Sequence, residues 1–186
     1  MKGILAALSL ALAFALLPCA APAQTADKDK SAAEARQKLH AETQSAIARL
    51  KKTDPGTDRF FRESAGYAVF PNVGKVGLLI GGGHGDGEVY QGGKPVGIAS
   101  VSLGTVGLQA GAQEYSEIVF FKDAAALERF KQNKFEFSGS VSAVIAKAGA
   151  AKEAVYRDGY AVFVHPVGGA MAEAAVGGQK YKFKAD

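Results

Sequence analysis

Few side chains in this sequence could do chemistry. The histidines are His40, His84 and His165, and no two of them share the spacing of a metal site. His84 and Asp86 stand two apart, which on an extended strand puts them on one face and would suit an acid–base pair or a weak metal pair. A polar turn is the commoner reading of such a pair among glycines. Ser100, Ser102, Ser138, Ser140 and Ser142 are plentiful, but none sits in the G-x-S-x-G pattern of a nucleophile elbow. These residues predict no catalytic centre, no metal and no cofactor, and so a protein that is not an enzyme.

The other candidate is the run Gly66 to Gly87, GYAVFPNVGKVGLLIGGGHGDG, where Gly81, Gly82, Gly83, Gly85 and Gly87 crowd together. A phosphate loop needs Lys and then Ser or Thr straight after its last glycine, opening a helix whose N-terminus holds the phosphate. Here Asp86, Gly87 and Glu88 follow, then Val89, Tyr90 and a further turn signal at Gly92 and Gly93. The glycines therefore read as backbone requirements of a tightly turned sheet, and nucleotide binding is not expected.

The elements that would position anything else begin after a leader. Lys2 precedes an apolar run from Ile4 to Leu17, and Ala21, Pro22 and Ala23 form a small-x-small cleavage pattern, so residues 1–23 read as a secretory signal. The run is short of the ~20 apolar residues that span a bilayer. Cys19, the one cysteine, has two readings: a passenger in the discarded signal, or the acylated first residue of a lipoprotein reached through Leu16, Leu17 and Pro18. The expected location is exported, periplasmic or membrane-associated, and lipid-anchored at Cys19 under the second reading. Loss of Lys2 with the signal lowers the formal charge from +4 to +3, far below the dense basic patch of a nucleic-acid binder.

Residues 24–30 are polar and read as a flexible linker, followed by a single domain over residues 31–186. Ser31 and Glu34 form a capping box. Leu39, Thr43, Ala46, Ile47 and Leu50 then recur at steps of three and four up to Thr53, where Asp54, Pro55 and Gly56 break the helix. This helix either lies on the core or contacts a membrane. A short second helix, Thr57 to Ser64, carries Phe60 and Phe61 between Arg59 and Arg62, with Gly66 as its expected C-terminal cap. Beyond it the grammar changes, because 21 of the 23 glycines lie between Gly66 and Gly178, and glycine costs a helix interior about 1 kcal/mol relative to alanine.

Alternation predicts strands over Val96–Leu108, Tyr115–Phe121 and Phe135–Ile145, with turns at Gly92–Gly93 and Ala112–Glu114 and a helix from Ala124 to about Gln132 capped by Asp123. The fold class is α+β: a glycine-rich, mainly antiparallel sheet closed into a small barrel or sandwich, with an N-terminal amphipathic helix and short packed helices. GYAVF occurs at Gly66–Phe70 and again at Gly159–Phe163, each followed by a proline and a Val-Gly pair, which suggests two equivalent strand-turn-strand units.

Taken together, these segments resemble the SYLF lipid-binding domain. The likeness rests on Ala65 to Phe70 with Pro71, Val73, Lys75 and Gly77, and on the glycine cluster to Gly87. It continues through Gly104, Gly107, Gln109, Gly111, Val119 to Phe121, Leu127, Phe130, Gly139, Ala148, Gly149 and Met171 to Gln179. It covers nearly all of residues 34–183 and looks like a stand-alone bacterial member. The resemblance implies a non-enzymatic module of the cell envelope that binds anionic phospholipid head groups. Carried onto this sequence, it points to Arg36, Lys38, Arg49, Lys51 and Lys52 of the first helix and to Lys75. Arg59 and Arg62 join them on local charge. Actin, bound by some relatives, is not an expected partner of an exported protein, and protein partners are open. The alternative is a structural or protein-interaction envelope protein without head-group recognition.

Overall fold

The computed structural model describes residues 23–77, 80–106, 111–134, 136–137, 141–168, 175–176 and 178–186. Residues 1–22, with Cys19 and most of the leader, lie outside them. The chain divides into two units, Met1–Glu34 and Ala35–Asp186. The first is described only where helix α1 (Ala23–Thr53) opens. Ser31 is inside that helix and does not cap it. Residues 24–30, polar enough to read as a linker, contain neither glycine nor proline, and the helix runs through them.

Asp54 ends α1. It is buried, caps the 3-10 turn Pro55–Thr57 by accepting from the Gly56 amide at 3.1 Å, and accepts the Ala151 amide at 2.6 Å. Helix α2 (Asp58–Glu63) follows and closes at Ser64, whose amide bonds Phe60 O at 3.1 Å. Gly66 is therefore not the cap. It opens the sheet, one residue after the Ala65 amide has bonded Phe121 O.

The strands are β1 (Gly66–Gly77), β2 (Ile80–Gln91), β3 (Lys94–Val106), β4 (Gly111–Phe121), β5 (Glu136–Phe137), β6 (Val141–Ser142), β7 (Val144–Ile145), β8 (Tyr160–Gly168), β9 (Ala175–Val176) and β10 (Gln179–Ala185). Eight form one sheet in the order β5-β10-β3-β2-β1-β4-β8-β7, and β6 pairs with β9. Among the described residues only the β7–β8 ladder is parallel. Among the described residues no ladder joins β5 to β7, so the sheet stays open. Of the two forms expected, it fits the sandwich and not the closed barrel.

Both faces of the sheet are buried. Tyr67, Val69, Tyr90, Ile118, Phe120 and Phe163 meet Ala46 and Leu50 of α1 and Phe60 of α2. On the other face Phe70, Val101, Val119, Phe121 and Tyr181 meet Leu127 and Phe130 of helix α3 (Ala124–Lys131), which Asp123 caps by accepting the Ala126 amide at 2.9 Å. The crowded glycines serve this geometry. Gly92 and Gly93, at φ 59° and 76°, make the two-residue β2–β3 turn that only paired positive φ values allow. A Cβ on Gly87 would stand 2.3 Å from Val69 O and 2.7 Å from the Phe70 ring.

Three expectations fail here for one reason: alternation reports which face a residue takes, not which strand it joins. Of the strand expected over 135–145, the described residues pair with three different partners, β5 with β10, β6 with β9 and β7 with β8, and residues 135 and 138–140 lie outside the described residues. Ala112–Glu114 is no turn but part of β4, opposite Val76, Lys75 and Gly74. The two GYAVF copies do flank the same strand, β4, but one residue out of step: Tyr67 opposes Phe120 whereas Tyr160 opposes Phe121. Phe70 thus enters the α3 side and Phe163 the α1 side, so the units are not equivalent.

Candidate functional site

Helix α1 meets the sheet through a narrow stripe. Thr43, Ala46 and Leu50 are buried, with Leu39 and Ile47 half-buried beside them. The polar centre of this contact is Glu88 on β2. Its Oε2 lies 2.5 Å from the Tyr90 hydroxyl, 2.8 Å from Thr43 Oγ1 and 2.9 Å from His40 Nδ1, and Gln44 Nε2 donates to the Tyr90 oxygen at 3.0 Å. Burial, and then the bond to Glu88, raises the Tyr90 hydroxyl pKa well above its ordinary value. At the far end of α1, Thr53 Oγ1 sits 3.2 Å from His165 Nε2. From His40 to Thr53 the helix carries its apolar stripe inward and is held to the sheet, so what this stretch offers outward is charge.

The basic residues expected to act together are spread around it. Arg36 pairs with Asp186. Lys51 pairs with Asp58 at 2.9 Å and lies over the Phe61 ring. Lys52 is exposed. Lys38 stands 3.9 Å from Glu42 and, with Arg49, lines a cleft that Ala41, Glu42, Ser45 and Asn72 complete. Arg59 donates from Nη2 to Ala151 O at 2.6 Å and Ala154 O at 2.9 Å, tying down the segment after β7. Arg62 is exposed, and Lys75 stands in β1 opposite Gln113 and Gly83 with its side chain outside what is described. The structure brings Lys38 and Arg49 to one cleft and leaves Lys52 and Arg62 on the surface.

His84 and Asp86 do share a face, but on strand β2 and not in a turn. Their Nε2 and Oδ1 are 3.3 Å apart and both side chains are exposed. No third His, Cys, Asp or Glu completes a metal group among the described residues.

A second buried carboxylate escaped the sequence reading. Glu117 on β4 is fully buried on the α3 side, with Tyr181 Oη 2.6 Å from its Oε1 and Gln179 Nε2 2.9 Å from its Oε2. The Tyr181 oxygen also lies 2.5 Å from Gln179 Oε1. One hydroxyl hydrogen cannot serve two acceptors, so an ionised Glu117 would leave one contact without a proton. A neutral Glu117 closes the ring: its O–H donates to Tyr181, Tyr181 to Gln179, and the Gln179 amide back to Glu117. Burial pushes the Glu117 carboxyl above its ordinary range, partly opposed by the bonds from Tyr181 and Gln179. The available signal was an inward polar residue two before a tyrosine, at Glu88–Tyr90 and again at Gln179–Tyr181.

A sheet with helices docked on both faces defines an α+β domain. Residues 102–186 match the family described as "Ysc84: Las17-binding protein actin regulator", the SYLF domain. The chain is also 28% identical over 155 residues to beta cell expansion factor A of Aeromonas veronii, an alignment covering 82% of this chain and 58% of the relative, so it spans less than two thirds of that protein's length. These matches bear out the SYLF resemblance, and neither description names an enzyme.

Proposed function

We propose that this protein binds anionic phospholipid surfaces of the cell envelope by head-group electrostatics, with α1 remaining docked on the sheet. The observation that supports this most is the orientation of α1. Thr43, Ala46 and Leu50 are taken up by the sheet while Lys52 and the Lys38–Arg49 cleft face outward. A helix so placed has no apolar stripe left to insert, and its contact with a membrane is one of charge. No helix among the described residues is long and apolar enough to cross a membrane. Export, and attachment through Cys19 where it is kept, would hold the domain near its target. Lys51 and Arg59 serve the fold first, given their partners Asp58, Ala151 and Ala154.

Vesicle co-sedimentation tests this reading. Binding should rise with the anionic lipid fraction and weaken as salt screens it. Lys38→Glu with Lys52→Glu should lower it steeply, since each surface cation is worth about 1 kcal/mol near such a membrane. Absence of binding to anionic vesicles at low salt would sink the reading, and a specific protein partner found in its place would favour the interaction-protein alternative.

A further inference from the structure

The cleft beside α1 encloses about 340 Å³ and is lined by Lys38, Ala41, Glu42, Ser45, Arg49 and Asn72. Lys38, Glu42, Ser45 and Arg49 follow at steps of four, three and four, so they share one face of the helix. Asn72 comes from the irregularity in β1 between Phe70 and Val73, where pairing with β4 shifts register beside Pro71. Bulges of this kind re-aim a side chain out of the strand's alternation.

Charge in the cleft is ordered along its length. At one end is Glu42, whose carboxylate accepts from Asn72 Nδ2 at 3.1 Å and has Lys38 only as a distant partner at 3.9 Å. At the other is Arg49, whose Nε is buried and has no hydrogen-bond partner. A buried guanidinium nitrogen with no acceptor is unusual, because desolvating it without a bond is unfavourable. A simple anion would satisfy Arg49 but leave Glu42 with only Lys38 at 3.9 Å, and a simple cation would leave Arg49 as it is. The complementary ligand carries both signs.

We propose that this cleft seats one amine-bearing phosphodiester, the ethanolamine phosphate head group or its soluble glycerol ester. The phosphodiester lies on Arg49 with the Ser45 hydroxyl near it, and the ammonium lies on Glu42. Glu42 and Arg49 are seven residues apart on α1, which is about 10 Å of helix rise. The proposal rests on the surface-binding reading and adds to it a selectivity that charge alone does not supply.

The test uses the full chain in two arms. In solution, glycerophosphoethanolamine, glycerophosphoglycerol and inorganic phosphate are titrated while the Ser45 and Asn72 amide resonances are followed. On membranes, phosphatidylglycerol vesicles diluted with phosphatidylethanolamine are compared with the same vesicles diluted with phosphatidylcholine. The amine-bearing compound should shift both resonances and bind about tenfold more tightly than the other two, the worth of one charge-assisted contact. Vesicle binding should favour ethanolamine over choline, and Glu42→Gln should abolish that preference. Equal response to all three soluble compounds overturns the inference. Vesicle binding indifferent to ethanolamine also overturns it, while leaving the surface reading intact. Shifts at Ser45 and Asn72 with no vesicle binding at any composition would keep the site and overturn the surface reading.

Discussion

Glu88 and Glu117 lie on opposite faces of one sheet and solve the burial of a carboxylate in opposite ways. Glu88 sits at the polar centre of the α1 contact, where a half-exposed His40 and the hydroxyls of Thr43 and Tyr90 converge on one oxygen. Glu117 sits in the α3 face, and its partners Tyr181 and Gln179 complete a ring only when the carboxyl keeps its proton. The contacts of Glu88 fasten a helix to the sheet, and those of Glu117 register two distant strands. Gln179 and Tyr181 on β10 meet Glu117 across the α3-side core, although β3, β2 and β1 separate β10 from β4 in the sheet. The ring thus ties together parts of the sheet that no ladder joins.

The sharpest way to break the contrast is Glu117→Ala. It leaves a cavity and an orphaned Gln179 amide, and should cost about 3–5 kcal/mol, read from the urea midpoint. Glu117→Gln should keep the ring, since a carboxamide donates to Tyr181 and accepts from Gln179, and should stay within about 1 kcal/mol of the parent at acidic pH. The two proteins separate on raising pH. The folded Glu117 holds a proton that the unfolded chain releases near its ordinary value of 4.5. The folded state then binds more protons, so the parent's stability is fully present below that value and is lost as pH climbs to the raised folded value. The slope is about 1.4 kcal/mol per pH unit. Glu117→Gln should lack that slope, and an identical pH profile for the two proteins would mean that Glu117 is ionised.

The asymmetry also marks how far the sequence could be read. The end of α1 at Asp54 and the helix from Ala124 were legible because stripe and stop or cap signal lie within a few residues of each other, whereas the start of α1 was misplaced at Ser31. The mainly antiparallel sheet was legible from glycine content and alternation, but that it stays open was not. The two faces were not. GYAVF is identical in β1 and β8, yet its tyrosine points to opposite sides because pairing with β4 slips by one residue. Nothing local encodes that slip. Glu117 was missed for the same cause, since its partners lie 62 and 64 residues away. Of the basic residues, charge was visible but not partnership: that Lys51 meets Asp58 while Arg49 meets a cleft depends on which side of a docked helix each one takes.

The smallest expected effect tests the Glu88 half of the comparison. His40→Ala removes one of three contacts to the Glu88 oxygen and leaves those of Thr43 and Tyr90 in place. Because His40 is half exposed, its removal should cost only about 0.5–1 kcal/mol. The loss should also be local. If Glu88 fastens a separable helix, amide exchange should quicken across residues 36–50 by about two- to fivefold, while amides of β1 and β4 exchange as before. Glu88→Ala, which strips all three contacts, should widen the same region and not spread beyond it. If exchange in β1 and β4 quickened equally with either change, α1 and the sheet would open as one cooperative unit. The docked helix would then be part of the core, with its outward charges presented by a rigid body.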